Sequence, residues 1–157
     1  MAITIRRMRS EDVDGVMLIE ERVMEFPWTH NIFSDCIKVG YGCWVITDSD
    51  TVVDINKDTP EIIGYGLLSM AANEAHILNF CIKPERQNQG LGKSLMQHLI
   101  GQAKLLNAKS VYLEVRLSNN IAYDLYIKLG FKVIGNRKDY YPATNGREDA
   151  IVLERSV

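Results

Sequence analysis

The sequence predicts an α/β fold of the α+β kind: a mixed, mostly antiparallel central sheet with helices on both faces, its elements in the order βααβββαβαββ. Three observations lead there. Apolar residues recur at helical spacing in some segments and form short β-branched or aromatic runs in others. Most strands follow one another at hairpin distance. A single βαβ crossover, from "AHILNFCIK" through a long helix to "SVYLEV", requires one parallel pair. A chain of 157 residues suits one domain, 1–157, with an ordinary buried core.

The elements follow from local signals. "ITIRRM" reads as a strand, and Ser10-Glu11-Asp12 offers an N-cap with acidic residues in the first turn of a helix reaching about Met24. Pro27 makes a turn, Thr29 caps a second, short helix, and Gly40 stops it. "YGCWVIT" is a strand by its aromatic and β-branched content. The polar segment from Asp48 to Glu61 is expected to be an exposed excursion between two strands. "IIGYGLLSM" and "AHILNFCIK" form the next pair, closed by Pro84. Leu91, Leu95, Leu99 and Ala103 mark one face of a long helix. After the strand "SVYLEV", a helix begins at Ser118 or Asn119 and ends at Gly130. "FKVIGNRKDYY" and "EDAIVLER" are the last strands.

Charge and cysteine usage exclude several classes. A net charge of −2 argues against a broad nucleic-acid footprint, which needs an excess of Lys and Arg on one face. Cys36, Cys43 and Cys81 are odd in number and widely spaced, so neither a disulfide framework nor a metal site is expected. No run approaches the ~18 apolar residues of a membrane span, and the start of the chain lacks a signal-like apolar core. The expectation is a cytoplasmic protein without metal, nucleic acid or membrane partner, and monomeric.

The chemistry-bearing stretch is "CIKPERQNQGLGKSLMQHLI". A P-loop ending at Gly92-Lys93-Ser94 would need glycine where Gln87 stands, and a dinucleotide fingerprint would need one where Leu95 stands. Both patterns fail, but their physics survives. A loop without bulk at Gly90 and Gly92 that opens into a helix leaves backbone N–H groups converging at the positive end of the helix dipole, which suits a pyrophosphate. The plainer alternative is a tight strand-to-helix turn.

A third pattern, Q/R-x-x-G-x-G/A, matches Gln87-Asn88-Gln89-Gly90-Leu91-Gly92, and here the chain resembles the GCN5-related N-acetyltransferase (GNAT) superfamily. "SNNIAYDLYIKLGFKVIG" resembles that superfamily's second signature. "EFPWT", "LEVRLSN" and "RKDYYPATNGREDAIVLE" extend the resemblance to the bacterial ribosomal-protein-alanine N-acetyltransferases. The resemblance implies the GNAT fold in a single N-acetyltransferase domain, with acetyl-coenzyme A as cosubstrate. It implies pyrophosphate binding by Gln87, Asn88, Gln89, Gly90, Leu91, Gly92, Lys93 and Ser94. The implied acceptor is the N-terminal alanine of a basic small-subunit ribosomal protein.

The resemblance also assigns the transfer. Glu114 interrupts the apolar strand "VYLEV" and by alternation shares a face with Tyr112. A lone Glu there is ordinarily a solvated charge, but its match to the family's Glu in "LEVR" implies that it is the general base. Tyr126, by spacing a core aromatic, matches the tyrosine that protonates the departing sulfur. Asn119, a plain N-cap by position, matches a cofactor contact. Phe80, Cys81 and Ile82 would flank the acetyl group and pantetheine, their main-chain N–H groups polarising the thioester carbonyl. A covalent acetyl-Cys81 is rejected, because a strand cysteine with no histidine to lower its pKa is usually inert and the family transfers directly. Phe26, Pro27, Trp28, Tyr140 and Tyr141 are candidates for the acceptor rim, or equally ordinary packing. Two alternatives stand beside this reading: acetylation of a small amine, and a coenzyme-A-binding module without catalysis.

Overall fold

The computed structural model of the protein describes residues 1–54 and 59–157. Its elements are β1 (Ile3–Arg7), α1 (Val13–Val23), α2 (His30–Lys38), β2 (Gly42–Asp54), β3 (Thr59–Ala71), β4 (Glu74–Ile82), α3 (Leu91–Leu105), β5 (Ser110–Arg116), α4 (Asn120–Lys128), β6 (Lys132–Ala143) and β7 (Gly146–Ser156), in the expected order. The strands form one seven-stranded sheet ordered β1-β2-β3-β4-β5-β7-β6. Pairing is antiparallel for β1 with β2, β2 with β3, β5 with β7 and β6 with β7. Across the α3 crossover, β4 and β5 run parallel, so the sheet is mixed as expected. No helix among the described residues is long and apolar enough to cross a membrane.

Contacts divide the chain into two compact units, Met1–Leu68 with Asn79–Leu99 and Ser69–Leu78 with Ile100–Val157. In the first, Ile46, Ile63, Ile82, Leu91 and Leu95 form a core cluster, with Ile3, Ile5 and Phe80 packed against it. Each such side chain contributes about 1.5–3 kcal/mol by leaving water. Leu91 and Leu95 reach this cluster because the i, i+4 spacing of α3 places them on one face. Gly64 is required by close approach: a Cβ there would stand 2.7 Å from both Ile46 Cγ2 and Ile82 Cδ1. In the second unit β5 alternates strictly. Val111, Leu113 and Val115 are buried, while Ser110, Tyr112, Glu114 and Arg116 occupy the other face.

Caps fall where the sequence placed them. Thr29 Oγ1 accepts the Ile32 N–H at 3.2 Å, and Asn119 Oδ1 accepts the Ala122 N–H at 3.1 Å. Gly40 and Gly130 end their helices at φ +83° and +90°, conformations that glycine adopts without steric cost.

Two local expectations are corrected. The first helix is preceded by a 3-10 turn over Ser10–Asp12, with α1 starting at Val13. Asp12 serves that turn by accepting the Arg9 N–H at 2.7 Å and both Arg6 guanidinium nitrogens, at 2.7 and 2.9 Å. The segment from Asp48 to Glu61 is mostly strand. β2 runs to Asp54 and β3 starts at Thr59, with register shifts after Asp48. The β-branched run from Thr51 to Val53 favours pairing that a count of polar residues misses. The tip of the expected excursion, 55–58, lies outside the described residues. Asp48 itself is buried. It accepts N–H groups from Ala2 at 3.1 Å and Asp50 at 3.0 Å and pairs with Arg86, whose hydrogen bond holds its carboxyl at about 2.

Candidate active site

In the first unit the anion loop is built between β4 and α3. Pro84 opens a 3-10 turn over Pro84–Arg86, anchored by the Asp48–Arg86 pair and by Lys83 Nζ on Glu61 at 2.5 Å. Gln87 then turns its side chain back, Nε2 donating to the Ile82 carbonyl at 3.0 Å. Asn88 and Gly90 both have positive φ, +62° and +78°, and no described atom lies within 4 Å of where a Gly90 Cβ would stand. The loop from Gln87 to Gly90 is exposed and runs straight into α3, whose first N–H groups have no partner within the helix. This open, bulk-free entry to a helix fits a diphosphate. Ser94 has a more local role than its place in the motif suggests. Its hydroxyl donates to the Gly90 carbonyl at 3.1 Å, alongside its own N–H, and so fastens the turn.

The same unit contains a polar hub the sequence analysis passed over. Glu20, on the buried face of α1 and 1% exposed, accepts the Tyr65 hydroxyl at 2.7 Å, Asn79 Nδ2 at 3.0 Å and the Trp28 N–H at 2.9 Å. The circuit closes through rings: Trp28 packs on Phe33 at 5.1 Å, and Phe33 meets the edge of Tyr65 at 5.8 Å. Trp28 is thereby fixed, backbone and ring, while Phe26 beside it is 43% exposed. Pro27 and Trp28 also line an open groove with Asp14, Met17, Leu18 and Glu21.

Asn79 has a second consequence. Its Oδ1 accepts the Phe80 N–H at 2.8 Å, so that N–H is already engaged and is not one of the groups expected to polarise a thioester carbonyl. Cys81 is buried among these residues, and desolvation pushes its thiol up to about 11, which leaves it protonated and inert at neutral pH. A histidine does lie on the same strand, His76, but it is engaged elsewhere.

In the second unit Glu114 stands on the β5 face opposite the core, with its side chain only 8% exposed. Its Oε2 lies 2.5 Å from His76 Nε2, and its Oε1 3.6 Å from Arg137 Nε. His76 is opposite Tyr112 in the parallel β4–β5 register, one same-face step from Glu114. Arg137 reaches over from β6, where it pairs with Ala150 of β7. Tyr141 belongs to the same cluster. Burial first, then the charge of Glu114, pushes its phenol up to about 12, and the Arg116 guanidinium lies 4.5 Å from its ring centre. Tyr140, 42% exposed, packs edge-on against Tyr141 at 4.9 Å and stacks beneath Arg137 at 5.3 Å.

Tyr126 is buried, its ring 5.9 Å from Phe131 in a T-shaped contact. Asn119 spends its Oδ1 on the α4 cap. Within the second unit the structure therefore gathers Glu114 with Tyr140 and Tyr141. It adds His76, Arg137 and Arg116, which sequence reasoning missed. Their signal was present but mute: His76 alternates with buried Ala75 and Ile77 on β4, yet only the parallel register says which strand it faces.

Comparison with known proteins gives the family and the fold. The Acetyltransferase (GNAT) family model matches residues 14–131, a span holding both the anion loop and Glu114. The ribosomal protein bS18-alanine N-acetyltransferase of Escherichia coli K12 is 32% identical over 150 residues, covering 96% of this chain and 95% of its own length. The crystal structure of the ribosomal-protein-S18-alanine N-acetyltransferase from Escherichia coli superposes with a TM-score of 0.85 at 31% identity, over 99% of this chain and 94% of that one. Arabidopsis thaliana NAA60, solved in complex with acetyl-CoA, shares the fold with a TM-score of 0.87 at 16% identity, over 99% of each chain. With the profile spanning the loop and the carboxylate, and the relative aligned along nearly its whole length, this chain belongs to the acetyltransferase (GNAT) family of N-acetyltransferases.

Proposed function

We propose that the protein transfers the acetyl group of acetyl-coenzyme A to the α-amino group of a protein N-terminus, the acceptor being the N-terminal alanine of a basic small-subunit ribosomal protein. The observation that carries the chemistry is Glu114: a carboxylate withdrawn from water, on an otherwise regular strand, hydrogen-bonded at 2.5 Å to an imidazole. The name of the Escherichia coli relative supports the acceptor.

Acetyl-coenzyme A supplies an acyl group already activated as a thioester. The N–H groups of the Gln87–Ser94 loop hold its pyrophosphate, with Lys93 adding positive charge, and Asn119 contacts it from the start of α4. Main-chain groups of Cys81 and Ile82 take the polarising role, since the Phe80 N–H is spent on Asn79. An α-amino group has a pKa of about 7.7–8.0, so a carboxylate suffices to deprotonate it, and Glu114 takes that proton directly or through one water. Tyr126 returns a proton to the departing thiolate. Tyr140 and Tyr141 in the second unit, and separately the segment Phe26-Pro27-Trp28 held by Glu20 in the first, are the aromatic residues offered to the acceptor chain.

The test is free-thiol release from acetyl-coenzyme A with three acceptors in parallel: a hexapeptide beginning with alanine, the same peptide already N-acetylated, and spermidine. Release with the free alanine peptide alone is expected. Release with spermidine alone would move the assignment to small amines, and none at all to a binding module. Gly90→Val is expected to abolish acetyl-coenzyme A binding by calorimetry, because a β-branched residue is strained at φ +78° and its side chain fills the cup. Unaltered affinity would refute the loop assignment.

A further inference from the structure

The proposed reaction has a proton balance that Glu114 alone cannot complete. An ammonium and a thioester give an amide, a thiol and one free proton. Glu114 takes the proton from the ammonium and must lose it before the next turnover, yet its side chain is 8% exposed. The groups facing it are His76 from β4, Tyr112 and Arg116 from β5, and Arg137, Tyr140 and Tyr141 from β6. Arginine does not deprotonate in proteins, so Arg137 and Arg116 hold charge but pass nothing on. Tyr141 is pushed up to about 12 by burial and stays protonated. Among the described residues able to pass a proton on, His76 alone combines contact with the carboxylate and an opening to water, its side chain being 37% exposed. Imidazole is also the side chain suited to gaining and losing a proton near neutrality, with two nitrogens that face in different directions.

We infer that His76 is the proton outlet of the active site, passing to solvent the proton that Glu114 takes from the acceptor amine. The step balances with the ring proton on Nδ1: the O–H bond at Glu114 Oε2 breaks as an N–H bond forms at His76 Nε2, and the Nδ1–H bond of the resulting imidazolium breaks as its proton passes to water. Glu114 returns to carboxylate and His76 to the neutral Nε2–H form that donates to it, and proton exchange with water restores the Nδ1–H tautomer before the next transfer. His76 thus acts through Glu114, as a relay and positioning residue, and the inference rests on Glu114 being the base.

Three variants separate relay from scaffolding. His76→Gln keeps a hydrogen-bonding group beside Glu114 but has no relay chemistry, whereas His76→Ala leaves a space that imidazole can enter. With acetyl-coenzyme A and the alanine hexapeptide, both are expected to lower kcat about tenfold, with the KM for acetyl-coenzyme A changed less than about twofold. Added imidazole restores the rate of His76→Ala and not of His76→Gln. A His76→Gln enzyme at full rate would show that the ring merely holds Glu114 in place; absence of rescue in His76→Ala would likewise overturn the inference. Glu114→Gln is the control for the underlying reading, and full activity there removes the base and the relay together. An activity-free readout is the imidazole N–H proton resonance of His76 by NMR. It is expected to be downfield and slowly exchanging in the wild type and lost in Glu114→Gln. An unchanged resonance means the two side chains are not paired in solution, and the relay falls.

Discussion

Glu20 and Glu114 are both carboxylates withdrawn from water, one in each compact unit, and they differ in what surrounds them. Glu20 is 1% exposed and accepts from a tyrosine hydroxyl, an asparagine amide and a backbone N–H, all neutral donors held by the fold. The Glu114 side chain is 8% exposed, the residue as a whole half-buried, and its partners are an imidazole and a guanidinium. Burial alone therefore does not mark a catalytic carboxylate. A buried charge satisfied by fixed neutral donors is an anchor, because no partner can receive a proton from it. One beside a titratable group that opens to solvent has an exit for the proton it takes, and that is the arrangement chemistry needs.

Exchanging the two carboxylates for amides should separate the roles. Glu114→Gln has the largest expected effect on turnover, a fall in kcat of ~10²-fold or more with acetyl-coenzyme A binding and thermal midpoint nearly unchanged. If activity and stability fall together, Glu114 is an anchor like Glu20 and the contrast collapses. Tyr126→Phe comes next, with kcat reduced about tenfold and the fold retained because the ring still packs on Phe131. Normal turnover would leave protonation of the thiolate to water.

Glu20→Gln sharpens the other side. The amide turns a donor toward one of three donors, leaving a buried group unsatisfied at a cost of roughly 2–3 kcal/mol. The thermal midpoint should drop by about 5–10 °C by calorimetry, while kcat changes little. A catalytic loss without a stability loss would reverse the assignment. The smallest effect is expected at Asp48, a third buried carboxylate, whose partner is a cation. The Arg86 hydrogen bond lowers its pKa to about 2, from about 3.9 in an unfolded chain. The pair therefore contributes stability above about pH 4, and that contribution is lost as pH falls through 2. Denaturant unfolding of wild type and Asp48→Asn should differ by a constant amount above pH 5 and converge toward pH 2. Curves that stay parallel throughout would show that the pair contributes nothing that depends on ionisation.

Much of the candidate site was legible in advance. Alternation placed Glu114 on the face of Tyr112, which the structure finds opposite the buried Val111, Leu113 and Val115, and the loop at Gly90 was legible from its need for a bulk-free turn. What escaped were residues whose meaning depends on a neighbour distant in sequence. His76 and Glu114 are 38 residues apart, and Glu20 and Asn79 are 59 apart. Glu20 lies on the buried face of α1, and nothing in its local spacing says which donors a carboxylate there will meet.

Local order was determined by the sequence itself. The order of elements, the caps at Thr29 and Asn119, and the apolar stripe of α3 follow from backbone periodicity and from short-range hydrogen bonds, which act within a few residues and survive in any context. Tertiary structure decided which polar groups meet. The side-chain period of a strand is two, so a slip of one residue between β4 and β5 would turn His76 away from Glu114. That register is set by the summed packing of the strands and their neighbours, a quantity no single segment of the chain carries.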